Sequence, residues 1–157
     1  MTDAAFQDFY PEPYAQCYGC GRLNEQGLQI KSRWEGDVSV CRFTPRPEHT
    51  AVPGYVYGGL LASLVDCHAT GTSAAAATRA AGDELGPETI RRFVTARLEV
   101  DYKAPTPMGV ELELRAVPVE VKGRKVVVDV ELLADGVVTV TGHAICVEAP
   151  ASLLDDA

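Results

Sequence analysis

The feature that most constrains the fold is a proline-free segment, rich in Ala and Leu, that runs from Gly58 to Ala81. Gly82 follows it, where a helix stop is expected, so the segment predicts one long α-helix of about 36 Å. Large apolar residues recur along it at helical spacing, and small residues form a second stripe that includes Asp66. The first stripe is Leu61, Leu64, Val65 and His68, and the second is Gly59, Ala62, Ser63, Asp66, Ala69 and Ser73. Two stripes predict a helix that is buried on more than one side.

Six stretches of the sequence have the patterning of β-strands, two before this helix and four after it. Two alternating stretches flank Gly36 and predict a hairpin, LQIKSRW and DVSVCRF. A proline-rich loop from Pro45 to Gly54 separates this hairpin from the helix. Four β-type runs come after the helix, FVTARLEVDY, VELELRAVPVEV, RKVVVDVELLA and VVTVTGHAICVE. The predicted order is β-β-α-β-β-β-β, and the short turns favour an α+β fold in which an antiparallel sheet packs on the helix.

Length and composition predict one domain and argue against several partners. The chain has 157 residues, 46% of them hydrophobic, which is enough for a core without disulfides or metal. We expect an N-terminal arm with a CYGCG turn over residues 1–26, a main domain over 27–150 and a C-terminal tail over 151–157. A net charge of -8 opposes binding to nucleic acid. Because the chain lacks a membrane-length apolar run and the pattern of a secretory signal, we expect a cytoplasmic protein with no membrane partner.

The five cysteines form an odd set, which makes a disulfide framework improbable in such a chain. Cys17 and Cys20, in CYGCG, have the spacing of half a zinc site or of a redox pair, but no second pair of ligands follows at a fitting distance. A tight turn that closes the arm is the favoured alternative. Cys67 stands beside Asp66, whose charge disfavours a thiolate, so we expect it to be structural.

The most informative local motif is GYVYGGLLASLVDCHATG, from Gly54 to Gly71. Gly58 and Gly59 open the helix, where unpaired N–H groups can polarise a carbonyl, although glycines that only permit tight packing are an equal alternative. Asp66 is an ionisable residue on a stripe of small residues, so it needs either a hydrogen-bonding partner or a role as base or nucleophile.

The histidines are weaker candidates. His68 projects about 200° away from Asp66 on the helix, so the two do not form a dyad, and a hydrogen-bonded core histidine is the favoured interpretation. His49, in the proline-rich loop, is freer to reach a pocket. His143 lies in the last predicted strand and has no acidic neighbour in sequence.

Over most of its length the chain resembles the hotdog-fold acyl-CoA thioesterases of the phenylacetate-type, or PaaI-like, family. Three segments carry the resemblance: CYGCGRLNEQGLQI, PGYVYGGLLASLVD and TARLEVDYKAPTP. In that family the sheet wraps the long helix and two subunits pair their sheets. The active sites lie at the subunit interface, often in a dimer of dimers. The resemblance therefore implies an acyl-CoA substrate and a homo-oligomer, a dimer or a tetramer, that needs no metal or redox cofactor for catalysis.

The resemblance also implies roles for particular residues. Asp66 is the carboxylate that activates water or attacks the thioester, the Gly59 amide binds the thioester carbonyl, and Thr95 places a hydroxyl near the attacking water. It leaves open whether Asp66 and Thr95 act from one subunit or from opposite subunits. Gly58, Tyr57 and His49 are the expected substrate-binding residues.

One position departs from the family pattern. Members commonly have His before the two glycines, and this chain has Tyr57, whose phenol donates a hydrogen bond but is a poor base at neutral pH. If proton transfer is needed there, His49 would have to supply it. A non-catalytic hotdog protein that binds acyl-CoA or another small ligand is therefore the alternative to a thioesterase, and a hotdog dehydratase is less favoured.

Phosphate binding is less well defined by the sequence. Basic residues near the predicted strand ends are candidates for the phosphates of coenzyme A, with a solvated charged rim as an equal alternative. These residues are Arg91, Arg92, Lys103, Lys122, Arg124 and Lys125.

Overall fold

The computed structural model describes residues 3–155 and has one six-stranded antiparallel sheet packed on one long helix. The helix, α1, spans Gly58–Ala80. The strands are β1 Ser32–Glu35, β2 Val38–Phe43, β3 Phe93–Tyr102, β4 Leu112–Lys122, β5 Lys125–Ala134 and β6 Val137–Glu148. Their order in the sheet is β1-β2-β4-β5-β6-β3, so β1 and β3 form the two edges. The predicted element order and the antiparallel α+β architecture are confirmed.

The largest boundary error concerns β1, which was predicted from Leu28 and begins at Ser32. Gln29 has a positive φ of 56°, which a strand does not accept. The amides of Leu28 and Ile30 instead donate to the carbonyls of Tyr18 and Gly19, at 2.8 and 3.0 Å. This segment therefore belongs to the CYGCG turn and not to the hairpin.

Strand β3 contains a β-bulge that the sequence pattern did not reveal. Its pairing with β6 shifts between Thr95 and Arg97, so the side chains that face the helix change parity at Ala96. Before the bulge Phe93 is buried; after it Leu98 and Val100 pack against the core. The charged residues of the second half are exposed: Arg97, Glu99 and Asp101.

Helix α1 lies very close to the sheet, and every residue from Cys67 to Thr78 is buried. A Cβ atom on Gly142 of β6 would lie 2.4 Å from Cγ1 of Val65, so only glycine permits this approach. Several of the buried helix residues are polar. Thr72, Ser73 and Thr78 donate to carbonyls one turn earlier, which satisfies their hydroxyls within the helix.

The N-terminal arm docks on the body of its own chain. It forms two single-turn 3₁₀ helices, Phe6–Phe9 and Glu12–Tyr14, and buries Phe6 and Tyr10. Gln7 is fully buried, where its amide donates to the Ser32 hydroxyl at 3.1 Å and accepts from the Ser32 amide at 2.8 Å. The arm is therefore joined to the core by paired polar groups as well as by apolar contact.

The C-terminal segment forms a one-turn helix, α2, over Ala151–Leu154. The division into arm, main domain and tail stays a prediction. Residues of the arm are part of the same hydrophobic core as the main body. Within residues 3–155 we find no helix that combines the length and the hydropathy required to cross a membrane.

His68 is the buried, hydrogen-bonded core histidine that the sequence favoured. It is fully buried, its Nε2 lies 3.1 Å from the Ser39 carbonyl and its Nδ1 lies 2.8 Å from the Ser32 hydroxyl. A carbonyl only accepts, so Nε2 carries the proton and Nδ1 accepts from Ser32. Burial lowers the pKa of His68 from 6.5 to about 4.

This burial predicts a loss of stability in mild acid. Between the two pKa values the unfolded chain binds a proton that the folded chain excludes, so stability falls as pH drops through 6.5 toward 4. We expect His68 to contribute about 2 kcal/mol to the difference in the free energy of unfolding between pH 7 and pH 5. Urea unfolding of wild type and His68→Gln at both pH values measures it.

Thr72→Val is the matched control, since it removes a bond to Ser39 in the same buried network without removing a titratable group. It should keep the pH dependence of the wild type, whereas His68→Gln should lose the stated part of it. Equal pH dependence in all three proteins would contradict the assignment.

Candidate active site

The N-terminal half of α1 carries a stripe that the sheet leaves half open. Gly59, Ala62, Ser63 and Asp66 are each partly exposed, while the residues between them on the helix are buried. Small side chains keep the stripe shallow, and the Ser63 hydroxyl is occupied by a 2.9 Å bond to the Gly59 carbonyl. This leaves Asp66 as the ionisable group of the stripe.

Thr95 and Asp66 meet within one chain. The Thr95 hydroxyl donates a short hydrogen bond to Oδ1 of Asp66, and both side chains are half-buried. Thr95 stands at the start of the β3 bulge, where it pairs with Cys146 and faces α1. The bond holds the carboxylate in one orientation and leaves its second oxygen available to a water molecule or a substrate.

Gly59 lies in the first turn of α1, after Tyr57 as the N-cap residue. The first amides of a helix have no intrahelical acceptor, so the Gly59 N–H is available to an oxygen atom outside the helix. The Tyr57 ring lies directly against Gly59, because a Cβ there would be 2.5 Å from the ring and from the phenol oxygen. Tyr57, which stands where the family commonly has His, therefore places its phenol beside Gly59.

A cleft of about 400 Å³ opens at this end of the helix. Three of the predicted site residues line it, namely His49, Tyr57 and Gly59, and so do Tyr18 and Arg46. His49 accepts a hydrogen bond at Nδ1 from the Arg46 amide, at 2.9 Å. Burial and the Arg46 charge lower the pKa of His49, so it is neutral at neutral pH.

Gly58 faces a different cleft, of about 560 Å³, together with Tyr102 and Lys103. The Tyr102 hydroxyl donates to the Gly58 carbonyl at 2.8 Å and ties β3 to the start of the helix. Of the basic residues considered for phosphate binding, Lys103 is the one that borders this cleft, whereas Arg91 and Lys125 pair with Glu148 and Glu120.

Asp66 does not border the cleft that Gly59 lines. The two residues are seven positions apart on one helix, which is about 10 Å along its axis. A carbonyl held by the Gly59 amide and attacked by a group on Asp66 requires a much shorter separation. Within one chain the structure brings Asp66 to Thr95 and Gly59 to Tyr57 and His49, as two separate groups.

The other histidines lie outside these groups. His68 is in the core, and His143 forms an exposed 2.6 Å pair with Asp129 of β5. The sequence could not reveal that pair, because Asp129 is opposite His143 only in the sheet register.

Sequence reasoning missed three residues around the site, Tyr18, Arg46 and Tyr102. Tyr102 ends an alternating strand, and Tyr18 sits inside a motif interpreted only as a turn, so neither pattern pointed to the helix start. The fold also gathers the sulfur atoms of Cys17, Cys20 and Cys67, which form a possible metal-binding group among the described residues.

Comparison with known proteins agrees with this architecture. The family model of the thioesterase superfamily matches residues 53–141, which include Gly59, Asp66 and Thr95. An acyl-coenzyme A thioesterase of Xenopus laevis, THEM4, is 33% identical over 87 residues, or 55% of this chain. The aligned part is 33% of THEM4, so the chain spans about a third of the length of that relative.

Solved structures give the same result for the fold. A thioesterase superfamily protein from Shewanella loihica PV-4 is 50% identical, with a TM-score of 0.66 over 77% of this chain and 91% of that one. The E. coli PaaI protein from the phenylacetic acid degradation operon is 15% identical and shares the fold, with a TM-score of 0.63 over 78% of this chain and 81% of that one. The resemblance found in the sequence is thus confirmed, and the chain belongs to the thioesterase superfamily, with its hotdog fold.

Proposed function

We propose that the protein hydrolyses an acyl-CoA thioester to the free acid and CoA. The observation that carries the proposal is the Asp66 carboxylate, held by Thr95 on a half-open stripe whose N-terminal end presents the Gly59 amide. A fixed carboxylate and a free helix N-terminal amide are the two groups that acyl transfer from a thioester requires. Membership in the thioesterase superfamily supports the same reaction.

In this proposal the Gly59 N–H donates to the thioester carbonyl and stabilises the negative charge that develops on its oxygen. Asp66 removes a proton from a water molecule, which attacks the carbonyl carbon. The carbon–sulfur bond then breaks, and the CoA thiolate leaves and is protonated. Direct attack by Asp66, which forms an anhydride that water then hydrolyses, is the other route open to the same residues.

We infer that the complete site combines two copies of the chain. The separation of about 10 Å along α1 prevents Gly59 and Asp66 of one copy from acting on the same carbonyl. Strand β3, which carries Thr95, is an edge of the sheet and has hydrogen-bonding groups available for a second copy. A symmetric dimer would place the Gly59 amide of one copy near the Asp66–Thr95 pair of the other.

The two clefts at the start of α1 suggest how CoA is accommodated. Tyr57 and His49 contribute to binding in the cleft of about 400 Å³, with the Tyr57 phenol beside the carbonyl and a neutral His49 at the wall, and Gly58 contributes from the neighbouring cleft. Arg46 is a positive charge at the same wall, although it also pairs with Glu48 at 2.9 Å. A phosphate group would compete with Glu48 for this guanidinium.

The position of Tyr57 also favours a second candidate, a protein that binds acyl-CoA without hydrolysing it. The exposed phenol covers Gly59 and supplies no base at neutral pH. Thermal stabilisation by CoA esters with no release of thiol from any of them would favour this candidate, and Tyr57→His would then test whether the absent imidazole is the reason.

Substitution of Asp66 should abolish turnover while leaving binding intact. We expect Asp66→Asn to lower kcat roughly 100-fold to 10,000-fold, the range that a general base contributes. Thr95→Val should lower kcat by a smaller factor, because it releases the carboxylate, and Thr95→Ser should retain most activity. Thiol release from short, medium, long and aromatic acyl-CoAs measures this.

Asp129→Asn serves as the control, since it removes an exposed carboxylate from the face of the sheet that points away from α1. It should behave as wild type. If Asp66→Asn matches it in kcat on every substrate that the wild type hydrolyses, Asp66 is not the catalytic carboxylate.

Mixed dimers test the shared site. Gly59→Pro removes the amide N–H in the first helical turn, where the helix backbone accepts proline, and also displaces the Tyr57 ring, so it should be inactive as a homodimer. A dimer of one Gly59→Pro chain and one Asp66→Asn chain, isolated through two different affinity tags, should regain about half of the wild-type turnover, because one of its two sites is intact.

The control is a mixed dimer of wild type and Asp66→Asn, which has one intact site under either arrangement. Equal activities in the two mixed dimers support a site built from two copies. Half activity in the control with none in the double mixed dimer would mean that both residues act from one chain.

A further inference from the structure

Three thiols that are distant in sequence meet at the base of the N-terminal arm. The Sγ atoms of Cys17, Cys20 and Cys67 all lie within 4.8 Å of one another, and those of Cys17 and Cys67 are 3.8 Å apart. Cys67 comes from α1 and completes the half-site that the CYGC spacing suggested. The sequence could not supply this third ligand, because it is 47 positions beyond Cys20.

The backbone around the turn is shaped for this meeting. A Cβ on Gly19 would lie 2.3 Å from the Cys67 sulfur, so glycine is what allows the turn to approach α1. The Gly21 amide closes the turn on the Cys17 carbonyl at 2.7 Å.

We propose that Cys17, Cys20 and Cys67 bind one thiophilic metal ion, Zn²⁺ in the first instance. Zinc–sulfur bonds of about 2.3 Å in a tetrahedral site place neighbouring sulfurs about 3.8 Å apart, the separation found between Cys17 and Cys67. Thiolates select zinc and similar soft ions over magnesium and calcium. A polynuclear iron–sulfur cluster requires cysteine sulfurs that stand further apart.

The surrounding charge suits such a site. Three thiolates around Zn²⁺ carry a net charge of about −1. The guanidinium of half-buried Arg92 lies close enough to interact with Cys17 and Cys20, and its positive charge would balance that of the site.

The fourth position is open to water. Among the described residues no His, Asp, Glu or further Cys joins the three sulfurs, and Cys17 is partly exposed. Three protein ligands and a water molecule complete a tetrahedron. The ion is structural in this proposal and has no part in the hydrolysis.

The site would fix two features of the cleft. It would join the arm to α1 at the residue after Asp66, and it would hold the turn that presents Tyr18 to the cleft. Loss of the ion should therefore loosen the arm first, whatever the activity of the enzyme.

Metal content and cobalt substitution test the site directly. Protein expressed with added zinc and dialysed against metal-free buffer should contain about one zinc ion per chain by mass spectrometry. Unfolded, dezinced protein refolded with Co²⁺ should show the intense visible absorption of tetrahedral cobalt and a sulfur-to-cobalt charge-transfer band. Neither readout depends on catalysis or on the identity of the substrate.

Cys17→Ser is the test variant, because Cys17 is the partly exposed member of the group, and Cys41→Ser is the control, since Cys41 is a buried thiol outside it. The control should bind zinc and cobalt as the wild type does. The zinc affinity of Cys17→Ser, measured by competition with a chelator, should be lower by a factor of about ten or more.

Two results would overturn the proposal. One is wild-type protein without zinc and without the cobalt spectrum. The other is a wild-type chain isolated under reducing-agent-free conditions with a disulfide between two of the three cysteines and no metal, which would identify the cluster as a redox pair. A failure of thioesterase activity with zinc present would leave the metal site intact and contradict the proposed function alone.

Discussion

The architecture depends on burying a helix that contains polar side chains. From Cys67 to Thr78 every residue of α1 is buried, and six of the twelve have side-chain groups that form hydrogen bonds. Unpaired, each buried group would cost about 1–3 kcal/mol, and the total would be comparable to the whole free energy of unfolding of a typical domain, about 5–15 kcal/mol. Helix carbonyls, Ser32 and Ser39 satisfy most of them, and Gln7 of the arm in turn pairs with Ser32. The first hairpin therefore pairs the polar groups of the helix directly, and the arm does so through Ser32.

The two halves of α1 have different tasks. The C-terminal half is enclosed and anchors the sheet, whereas the N-terminal half is half open and carries Gly59 and Asp66. Because both halves belong to one rigid helix, the packing of the C-terminal half in the core also holds Gly59 and Asp66 in position. The arm contributes to the same rigidity, because Gln7 and the cysteine turn both contact α1 within a few turns of Asp66.

The sequence predicted much of the fold because its signals were local. Helix α1 was predicted within one residue, β3 and β6 at their observed bounds, and His68 as a core residue. It failed where a long-range contact decides the outcome. The pairing of Asp129 with His143 depends on sheet register, Cys67 joins Cys17 only through packing, and Gln29 takes a left-handed conformation because its neighbours bond to the CYGCG turn.

The bulge in β3 changes which residues of the strand face the helix. Up to Thr95 the odd-numbered residues face the helix, and beyond Ala96 the even-numbered ones do. Thr95 and Arg97 pair with consecutive residues of β6, so a chain without Ala96 would join them in a regular ladder and still direct Leu98 and Val100 toward the core. Ala96 is therefore the one residue that the bulge adds to β3, and its loss would straighten the strand without changing which residues face the helix.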